Sequence, residues 1–537
     1  MNKYLKISKF IFPLVVLIIG IYLVPINIFN SDFSKILGDK GDARFNNYVL
    51  EHGYKYLKGE VSNYWDMSMM YPFKNVTAFS DNLLGTMPLY SFFRFFGNTV
   101  ETSFQWWIIS VLILNFVISF IVFFKISYNI LISSAASYIF AFGIYNIGHF
   151  DHVQVFPKFI APLVIYLLWK FLTDKKLIYF FWASIGLVYQ FYCGVYLGFF
   201  LVYGILFLTI AYFIVYKDKG FLQIFNYKRN IFYFVSTIVF CLILLSFLML
   251  PYYNALEVSE SRNFDAIINT IPRPISFFFT HIASENWYIL TQHSQFAFPV
   301  WWSHFHFVGI LPWISIFMSI YLIFKKRHTT DNENKLIRFL LCALFLNLIF
   351  CLNINDFSLY RLIHFLPGFN SMRSLDRIIN IQIIFFLFVF VVIFNKIKIS
   401  RNYNFLIYLF ITILTIFENK INVGELKTFD KKESQHDINQ IVNQIKNQYS
   451  KNFKAIAYMP IQNKPKSHDE IIEKNISVIL AAQQLNIPVV NSYTGNYPPN
   501  YMSFFDNMDE SSLQKWCNYV NCDMNTIQKI TDTNFKK

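Results

Sequence analysis

The chain has 537 residues, of which 55% are hydrophobic, 20% are aromatic and only 15% are charged, and its mean hydropathy is +0.40. A water-facing globule of this composition would be insoluble, so the composition excludes an ordinary soluble protein and predicts an integral membrane protein. The formal net charge is +14. Because the basic residues are mostly in turns between apolar segments rather than in a basic patch with interleaved aromatics, nucleic acid is not expected as a partner.

The apolar residues form about eleven segments of roughly 16 to 24 residues, close to the length that a helix needs to cross a bilayer. The first segment is too long and too weakly cleavable for an ordinary signal peptide, so we expect it to stay as an anchor. The sequence therefore predicts an all-α polytopic membrane domain over residues 1–417. Its segments are 10–29, 106–124, 131–147, 153–172, 177–191, 196–216, 231–253, 305–324, 336–352, 378–394 and 405–417.

Basic residues occur in every second turn between these segments. The positive-inside rule places such turns in the cytoplasm. The membrane is then the cytoplasmic (inner) membrane of a bacterial cell, and an odd number of spans puts the carboxyl terminus on its outer side. The external pieces are residues 30–105, 254–304, 353–377 and 418–537. The basic residues are Lys125, Lys175, Lys176, Lys217, Lys219, Lys228, Arg229, Lys325, Lys326, Arg327, Lys335, Arg338, Lys396, Lys398 and Arg401.

Ordinary soluble patterning begins in the tail, residues 418–537. Apolar runs at 455–459 and 487–490 are typical of strands, and residues 469–485 are typical of a helix. These patterns predict a small extracytoplasmic α/β domain with its own core. The run 491–499 is rich in turn residues and fits either a surface turn or a contact with a substrate.

Polar residues are concentrated in one short run of the first external loop, soon after the first apolar segment. They are Asp39, Asp42, Arg44 and Asn46. A carboxylate that Arg44 or Asn46 holds at this membrane surface can accept a proton from an incoming hydroxyl. The alternative is a solvated acidic turn, which is the commoner arrangement for isolated Asp residues.

The loop that contains these residues resembles the first external loop of bacterial multi-spanning proteins that are predicted membrane glycosyltransferases of the GT-C class. In that group a glycine-aspartate pair is followed by an asparagine and later by a proline, a serine-acid step and a leucine-leucine-glycine. Similar runs occur in the same order at residues 148–154, 194–198 and 366–377, and the resemblance fades in the tail. The first-loop matches are Gly41, Asp42, Asn46, Pro72, Ser80, Asp81, Leu83, Leu84 and Gly85.

The resemblance implies a transferase that passes a sugar from a polyprenyl-phosphate carrier to a glycan, lipid or protein acceptor at the outer face of the membrane. The GT-C class has an acidic catalytic residue in the first external loop, and the matching position is Asp42, as general base, with Asp39 beside it. Asp81 is expected to contact the substrate. Asp39 and Asp42 are separated by two residues instead of the one residue of a strict acid-x-acid motif. This departure leaves open whether a divalent cation takes part.

The chemistry of such a carrier requires cations at the same membrane surface. A phosphate leaving group gains negative charge as the glycosidic bond breaks, and preorganised cations stabilise that charge. Arg373 and Arg377 are the first choice, and they share one helical face if the tenth span begins early enough. The alternatives are interfacial anchors or partners of Asp376.

A second basic group stands near the fourth apolar segment. Lys158 lies inside that segment, where an ionisable residue is costly and therefore indicates function, unless its side chain extends to the surface. His149 and His152 come just before Lys158 in the sequence. They either orient the acid and bond acceptor hydroxyls or have a structural role.

Two functions of other classes compete with the transferase. A lipid or polysaccharide exporter needs charged residues along a path through several spans, and the spans are nearly free of charge apart from Lys158. A non-catalytic scaffold for envelope assembly would tolerate replacement of its Asp and Arg residues. The concentration of charge on one side favours a reaction at the surface.

No metal site is predicted. Two His residues of the second loop are separated by one residue, a spacing that turns their rings apart on a helix. The Cys spacing is also not that of a metal site. The last two Cys residues can pair if the compartment is oxidising, although their spacing on one helix fits disulfide geometry poorly. These residues are His304 and His306, with His281 and His293 nearby, and Cys517 and Cys522.

Overall fold

The computed structural model describes residues 3–258, 263–291, 298–325, 330–366, 368–397 and 401–532. Five residues considered above lie outside the described part of the chain, and they are His293, Lys326, Arg327, Pro367 and Lys398. The side chain of Arg401 is likewise outside the description.

Helices account for most of the chain, and each apolar segment predicted from the sequence contains one. The main helices in chain order are α1 (Lys3–Ile21), α2 (Asp42–Leu57), α3 (Met87–Phe95), α4 (Val100–Ser127), α5 (Ile130–Phe142), α6 (Ala161–Asp174), α7 (Leu177–Cys193), α8 (Val195–Tyr216), α9 (Lys228–Val258), α10 (Ile310–Phe324), α11 (Asp331–Phe350), α12 (Ile379–Phe394), α13 (Arg401–Glu418), α14 (Lys431–Gln448), α15 (His468–Leu485), α16 (Met502–Asn507) and α17 (Glu510–Tyr519).

The protein is a multi-pass membrane protein. Within the described ranges, six helical stretches are long and apolar enough to cross a bilayer, and shorter apolar helices accompany them. A count of eleven crossings therefore stays a prediction. The six long stretches are Ile11–Phe29, Val100–Ser127, Ile130–His149, Val195–Tyr216, Lys228–Val258 and Leu375–Phe394.

Two predicted segments become helical later than the sequence suggested. Helix α6 begins at Ala161, so the first residues of the fourth segment form a short 3-10 turn and irregular chain. Helix α10 begins at Ile310, directly after Gly309, whose φ of 98° a residue with a side chain rarely adopts.

Helices α12 and α9 are at opposite extremes of burial. Every residue of α12 is buried, and α12 packs against α10 and α11. Helix α9 is buried at only three positions and presents apolar side chains such as Phe247 and Leu250 outward. In a bilayer such a surface faces the acyl chains, so α9 forms part of the lipid-facing wall.

The tail packs against the first external loop. Strand β1 (Lys35–Leu37) in that loop pairs antiparallel with β2 (Thr428–Asp430), with Ile36 opposite Phe429. Strand β3 (Ala455–Tyr458) pairs in parallel with β4 (Ile527–Ile530). The strand expected over 487–490 is reduced to a single bridge between Val489 and Ile456.

One apolar core runs through the tail, the first loop and the start of the membrane part. It includes Tyr48 of α2, Trp107 of α4 and, from the tail, Ile479 and Trp516. The tail was expected to have a core of its own, and instead its core is continuous with that of the first loop. Among the described residues, Cys517 and Cys522 are both free thiols.

All four external pieces predicted from the sequence contact one another. The indole N–H of Trp516 in the tail donates to the Tyr71 carbonyl of the first loop at 2.9 Å. Ser284 of the second loop bridges Ile421 of the tail, and the amide of Asn353 in the third donates to Pro272 of the second at 2.8 Å. These contacts place the four pieces on one side of the helical part.

Candidate active site

Helix α2 begins at a cavity of about 350 Å³ that opens between the membrane helices and the external pieces. Asp42 is the first residue of α2, directly after Gly41, and it lines this cavity. The first turns of α8, the last turns of α9 and the chain before α12 complete the wall. The tail contributes residues 493–496.

Asp42 is held by two hydrogen bonds from different parts of the chain. The Nδ1–H of His152 donates to one carboxylate oxygen at 2.6 Å, and the hydroxyl of Tyr493 donates to the other at 2.5 Å. His152 precedes α6, and Tyr493 belongs to the tail. The carboxylate is therefore fixed in position only when the tail is packed against the first loop.

The surroundings of Asp42 keep it ionised. Burial by itself raises the pKa of this carboxyl group, but the hydrogen bond and charge of His152, the Tyr493 hydroxyl and the charge of Arg377 together outweigh burial. The pKa of Asp42 is therefore well below its ordinary value. The pKa of the Tyr493 hydroxyl shifts in the opposite direction, because burial and the charge of Asp42 both raise it.

Arg373 and Arg377 line the same cavity as Asp42. Arg377 is buried, its guanidinium lies 5.3 Å from the centre of the Tyr196 ring, and its Nε has no hydrogen-bond partner in the described part of the protein. Arg373 is exposed, and its backbone N–H donates to the Tyr196 hydroxyl at 2.8 Å. Asp42, Arg373 and Arg377, which the sequence analysis expects at one site, thus line one cavity.

The condition for a helical face shared by Arg373 and Arg377, an early start of the tenth span, is not met. The chain over Leu375–Ile378 is a 3-10 turn, and α12 begins only at Ile379. Arg373 therefore lies before the helix, and the two arginines do not share an α-helical face. The side chain of Asp376 is directed to His149 rather than to an arginine, with 3.8 Å between its Oδ2 and the ring Nδ1.

Asp81 and Asn46 also line the cavity. Asp81 accepts a hydrogen bond from the amide of Val195 at 2.8 Å, and its pKa is raised because burial outweighs the charge of Arg377. The Asn46 side chain donates to the Asp42 carbonyl at 2.8 Å and to Gln154 at 2.9 Å. Asn46 therefore fixes the first turn of α2 that carries the acid.

Arg44 and Asp39 stand close to Asp42 in sequence but do not line this cavity. Arg44 points from the opposite face of α2 and donates to Ser477 of α15 at 2.9 Å. Asp39 accepts from the amide of Gly41 at 2.9 Å, and burial, with the charges of Asp42 and Asp151, raises its pKa. The predicted role of Arg44 in holding the acid fails because residues two apart on a helix point in nearly opposite directions.

Lys158 and His149 are buried behind the cavity. The ammonium of Lys158 donates to the oxygens of Tyr145, Asn146 and Asn380 at 2.8, 2.6 and 2.7 Å. These three neutral acceptors keep it away from the cavity, so it is in no position to contact a phosphate there. His149 is buried too, and neither ring nitrogen has a hydrogen-bond partner among the described residues.

Aromatic residues also line the cavity. Tyr196 and Tyr252 present rings to it, and the Tyr252 hydroxyl donates to the Ser80 carbonyl at 2.7 Å. Tyr493 belongs to the run 491–499, for which the sequence left open a surface turn or a contact with a substrate, and the structure places it at the cavity. The only signal in the sequence was its turn-rich composition directly after an apolar run.

The residues of the cavity do not form a metal site as they stand. Both oxygens of Asp42 are used by His152 and Tyr493, and Asp81 is hydrogen-bonded to Val195. No group of three or more His, Cys, Asp or Glu suited to a metal occurs in the described ranges. The second-loop histidines are engaged elsewhere, since His304 donates to the Asn269 carbonyl and His306 to that of Asp376.

Two solved structures resemble this fold. Archaeal oligosaccharyltransferase AglB from Archaeoglobus fulgidus, in complex with an inhibitory peptide and a dolichol-phosphate, matches with a TM-score of 0.50 and 13% identity over 97% of this chain and 69% of that chain. The apo form of the Archaeoglobus fulgidus oligosaccharyltransferase matches with a TM-score of 0.47, at the same identity and coverage. No family model and no curated protein matches the sequence. The chain has the fold of the archaeal oligosaccharyltransferase AglB, a membrane glycosyltransferase of the GT-C type.

Proposed function

We propose that this protein is a membrane glycosyltransferase that takes a sugar from a polyprenyl-phosphate carrier and transfers it to an acceptor in the cavity beside Asp42. The fold of AglB supports this class of activity. The AglB structure holds a dolichol-phosphate and a peptide, and here the acceptor is a hydroxyl- or amide-bearing glycan, lipid or peptide. The cavity is on the outer face if the charge of the turns sets the orientation.

The observation that carries this proposal is the unpartnered Nε of Arg377 inside a cavity that also contains Asp42 and Arg373. A buried guanidinium donor without an acceptor is costly, and a phosphate oxygen satisfies it. Arg373 adds a second cation at the edge of the same space. The two arginines thus hold the phosphate, and Asp42 faces the sugar that the phosphate carries.

The lipid part of the carrier also has a place in this arrangement. Met249, Tyr252 and Tyr253 of α9 line the cavity, while Phe247 and Leu250 of the same helix are exposed on its apolar outer surface. A polyprenyl chain lying along α9 remains among the acyl chains while its phosphate enters the cavity. The carrier therefore has no need to leave the bilayer for the sugar to reach Asp42.

The transfer is an inverting displacement. The acceptor oxygen or nitrogen forms a bond to the anomeric carbon, the bond from that carbon to the phosphate oxygen breaks, and the polyprenyl phosphate leaves with the electron pair. Arg373 and Arg377 stabilise the charge that develops on the phosphate. The acceptor atom becomes strongly acidic as its new bond forms, so Asp42 takes its proton even though the pKa of Asp42 is low.

A transfer assay tests this function. The purified protein in detergent is incubated with a panel of polyprenyl monophosphate and diphosphate sugars and with peptide, glycan and lipid acceptors, and products are identified by mass spectrometry. We expect transfer from at least one donor, with the anomeric configuration inverted. A folded protein that transfers from no donor in the panel, or that retains the configuration, would contradict the proposal.

A further inference from the structure

A second cavity, of about 240 Å³, lies on the other side of α2, between the first external loop and helices α14 and α15 of the tail. Its lining contains four basic and three acidic side chains, so one positive charge is left over. The basic residues are Arg44, Lys55, Lys58 and Arg94, and the acidic residues are Glu51, Glu60 and Glu101.

Two of the basic side chains in this cavity already have acidic partners. Arg94 donates to both oxygens of Glu51, at 2.7 and 3.0 Å, which is the planar two-bond geometry that guanidinium and carboxylate groups favour. Lys58 and Glu60 form a salt bridge of 2.5 Å. The charged residues of the lining that do not belong to these two pairs are Lys55, Glu101 and Arg44.

Lys55 and Glu101 are satisfied by neutral groups of the tail. The ammonium of Lys55 donates to the side-chain oxygen of Asn486 at 2.6 Å, and Glu101 accepts from the side chain of Gln435 at 2.9 Å. These contacts join the first loop to the tail across the cavity. Arg44 is the remaining basic residue of the lining, and no carboxylate forms a hydrogen bond with its guanidinium in the described part of the protein.

Arg44 is buried, with only 4% of its surface exposed, and its Nη2 donates to Ser477. Its Nε and Nη1 are buried and have no hydrogen-bond partner among the described residues. The pKa of Arg44 is lowered to about 10 by burial, so the guanidinium is charged at neutral pH. The charges of Asp437, Glu473 and Glu101 offset the burial of this guanidinium only in part, and an anion in the cavity would stabilise it further.

We propose that this second cavity binds a small organic carboxylate, held by the guanidinium of Arg44 between the first external loop and the tail. A carboxylate has one negative charge, equal in size to the net positive charge of the lining residues, and its two coplanar oxygens fit a guanidinium that has unpartnered donors. A doubly charged phosphate would leave the cavity negative beside Glu51 and Glu101. The anion stabilises the contact between α2 and the tail.

Acetate is the probe that tests this site. The unfolding midpoint of the full chain in detergent is measured at pH 7 while acetate replaces chloride at constant ionic strength. We expect a saturable rise of roughly 2 °C in the wild-type protein, since a ligand that binds only the folded state raises its stability. Arg44→Gln is expected to abolish the acetate response, and no response in the wild-type protein would overturn the proposal.

Two further variants keep the test decisive if Arg44→Gln does not fold. Arg44→Lys preserves the charge but removes the planar donor set, so we expect the apparent Kd for acetate to rise roughly tenfold. Glu101→Gln removes a negative charge from the lining and is expected to lower that Kd. An unchanged Kd in both variants would contradict the site.

Arg373→Gln is the matched control, because Arg373 is a cation of the first cavity. The acetate response is expected to persist in this variant. A response that disappears in Arg373→Gln and persists in Arg44→Lys with wild-type Kd would place the anion in the first cavity and overturn the proposal. The acetate response requires only the fold, so it holds or fails independently of transferase activity.

Discussion

The two faces of helix α2 border two cavities with opposite patterns of charge. The first cavity places Asp42 and Asp81 with Arg373 and Arg377, and these groups are kept apart from one another rather than joined in salt bridges. The second cavity pairs Arg94 with Glu51 and Lys58 with Glu60 directly.

The difference shows that the partner of a charged residue indicates its role better than the residue type does. Separated charges around an empty volume are preorganised for a charged reactant, whereas directly paired charges stabilise packing. Asp42 and Arg44 are two positions apart on one helix and belong to different cavities. Substitutions on the two faces should therefore separate activity from stability.

The largest effect is expected for Asp42→Asn. The amide cannot accept the acceptor's proton, so transfer should fall by about a hundred- to ten-thousand-fold while the unfolding midpoint stays near that of the wild type. Initial rates of product formation measure the loss of transfer. Asp39→Asn is the matched control, because Asp39 does not line the cavity. A comparable loss of transfer in Asp39→Asn would contradict a specific role of Asp42 as the general base.

Arg377→Gln should have the next largest effect. Loss of the buried guanidinium removes stabilisation of the leaving phosphate, so we expect the transfer rate to fall by roughly a hundred-fold. Arg44→Gln, on the other face of α2, should alter the transfer rate per folded molecule by less than about threefold. Equal losses in the two variants would remove the functional distinction between the two cavities.

Tyr493→Phe is expected to lower transfer by about tenfold, because the variant loses one hydrogen bond to a charged carboxylate. That hydroxyl helps to lower the pKa of Asp42, so its removal raises the pKa. Asp42 then becomes protonated at higher pH, and the acidic limb of the pH–rate profile should move upward. An unshifted limb would mean that Tyr493 has a packing role only.

Glu51→Ala should have the smallest effect on transfer and a clear effect on stability. The Glu51 side chain is only 5% exposed, and its removal leaves the Arg94 guanidinium without its partner, which costs about 3 kcal/mol in the free energy of unfolding. The unfolding midpoint measures the loss, and the rate per folded molecule should remain close to that of the wild type. A selective loss of transfer would contradict a structural role for this pair.

Much of the membrane part can be predicted from the sequence, because long apolar segments have few alternatives to helices in a bilayer. The helix over 468–485 and the strand at 455–458 in the tail could also be predicted, from the periodicity of their apolar residues. The late starts of α6 and α10 were not, since apolar composition marks a segment but not the residue at which helical hydrogen bonding begins.

The sequence by itself determined that this is a helical membrane protein with an acid in its first external loop and arginines before a late helix. Only the tertiary structure decided that Asp42 meets His152 and Tyr493, that Arg44 belongs to a different cavity, and that Lys158 is enclosed by neutral oxygens. The physical reason is that composition and periodicity are local properties. Contacts between residues more than a hundred positions apart depend instead on how the helices and the tail pack together.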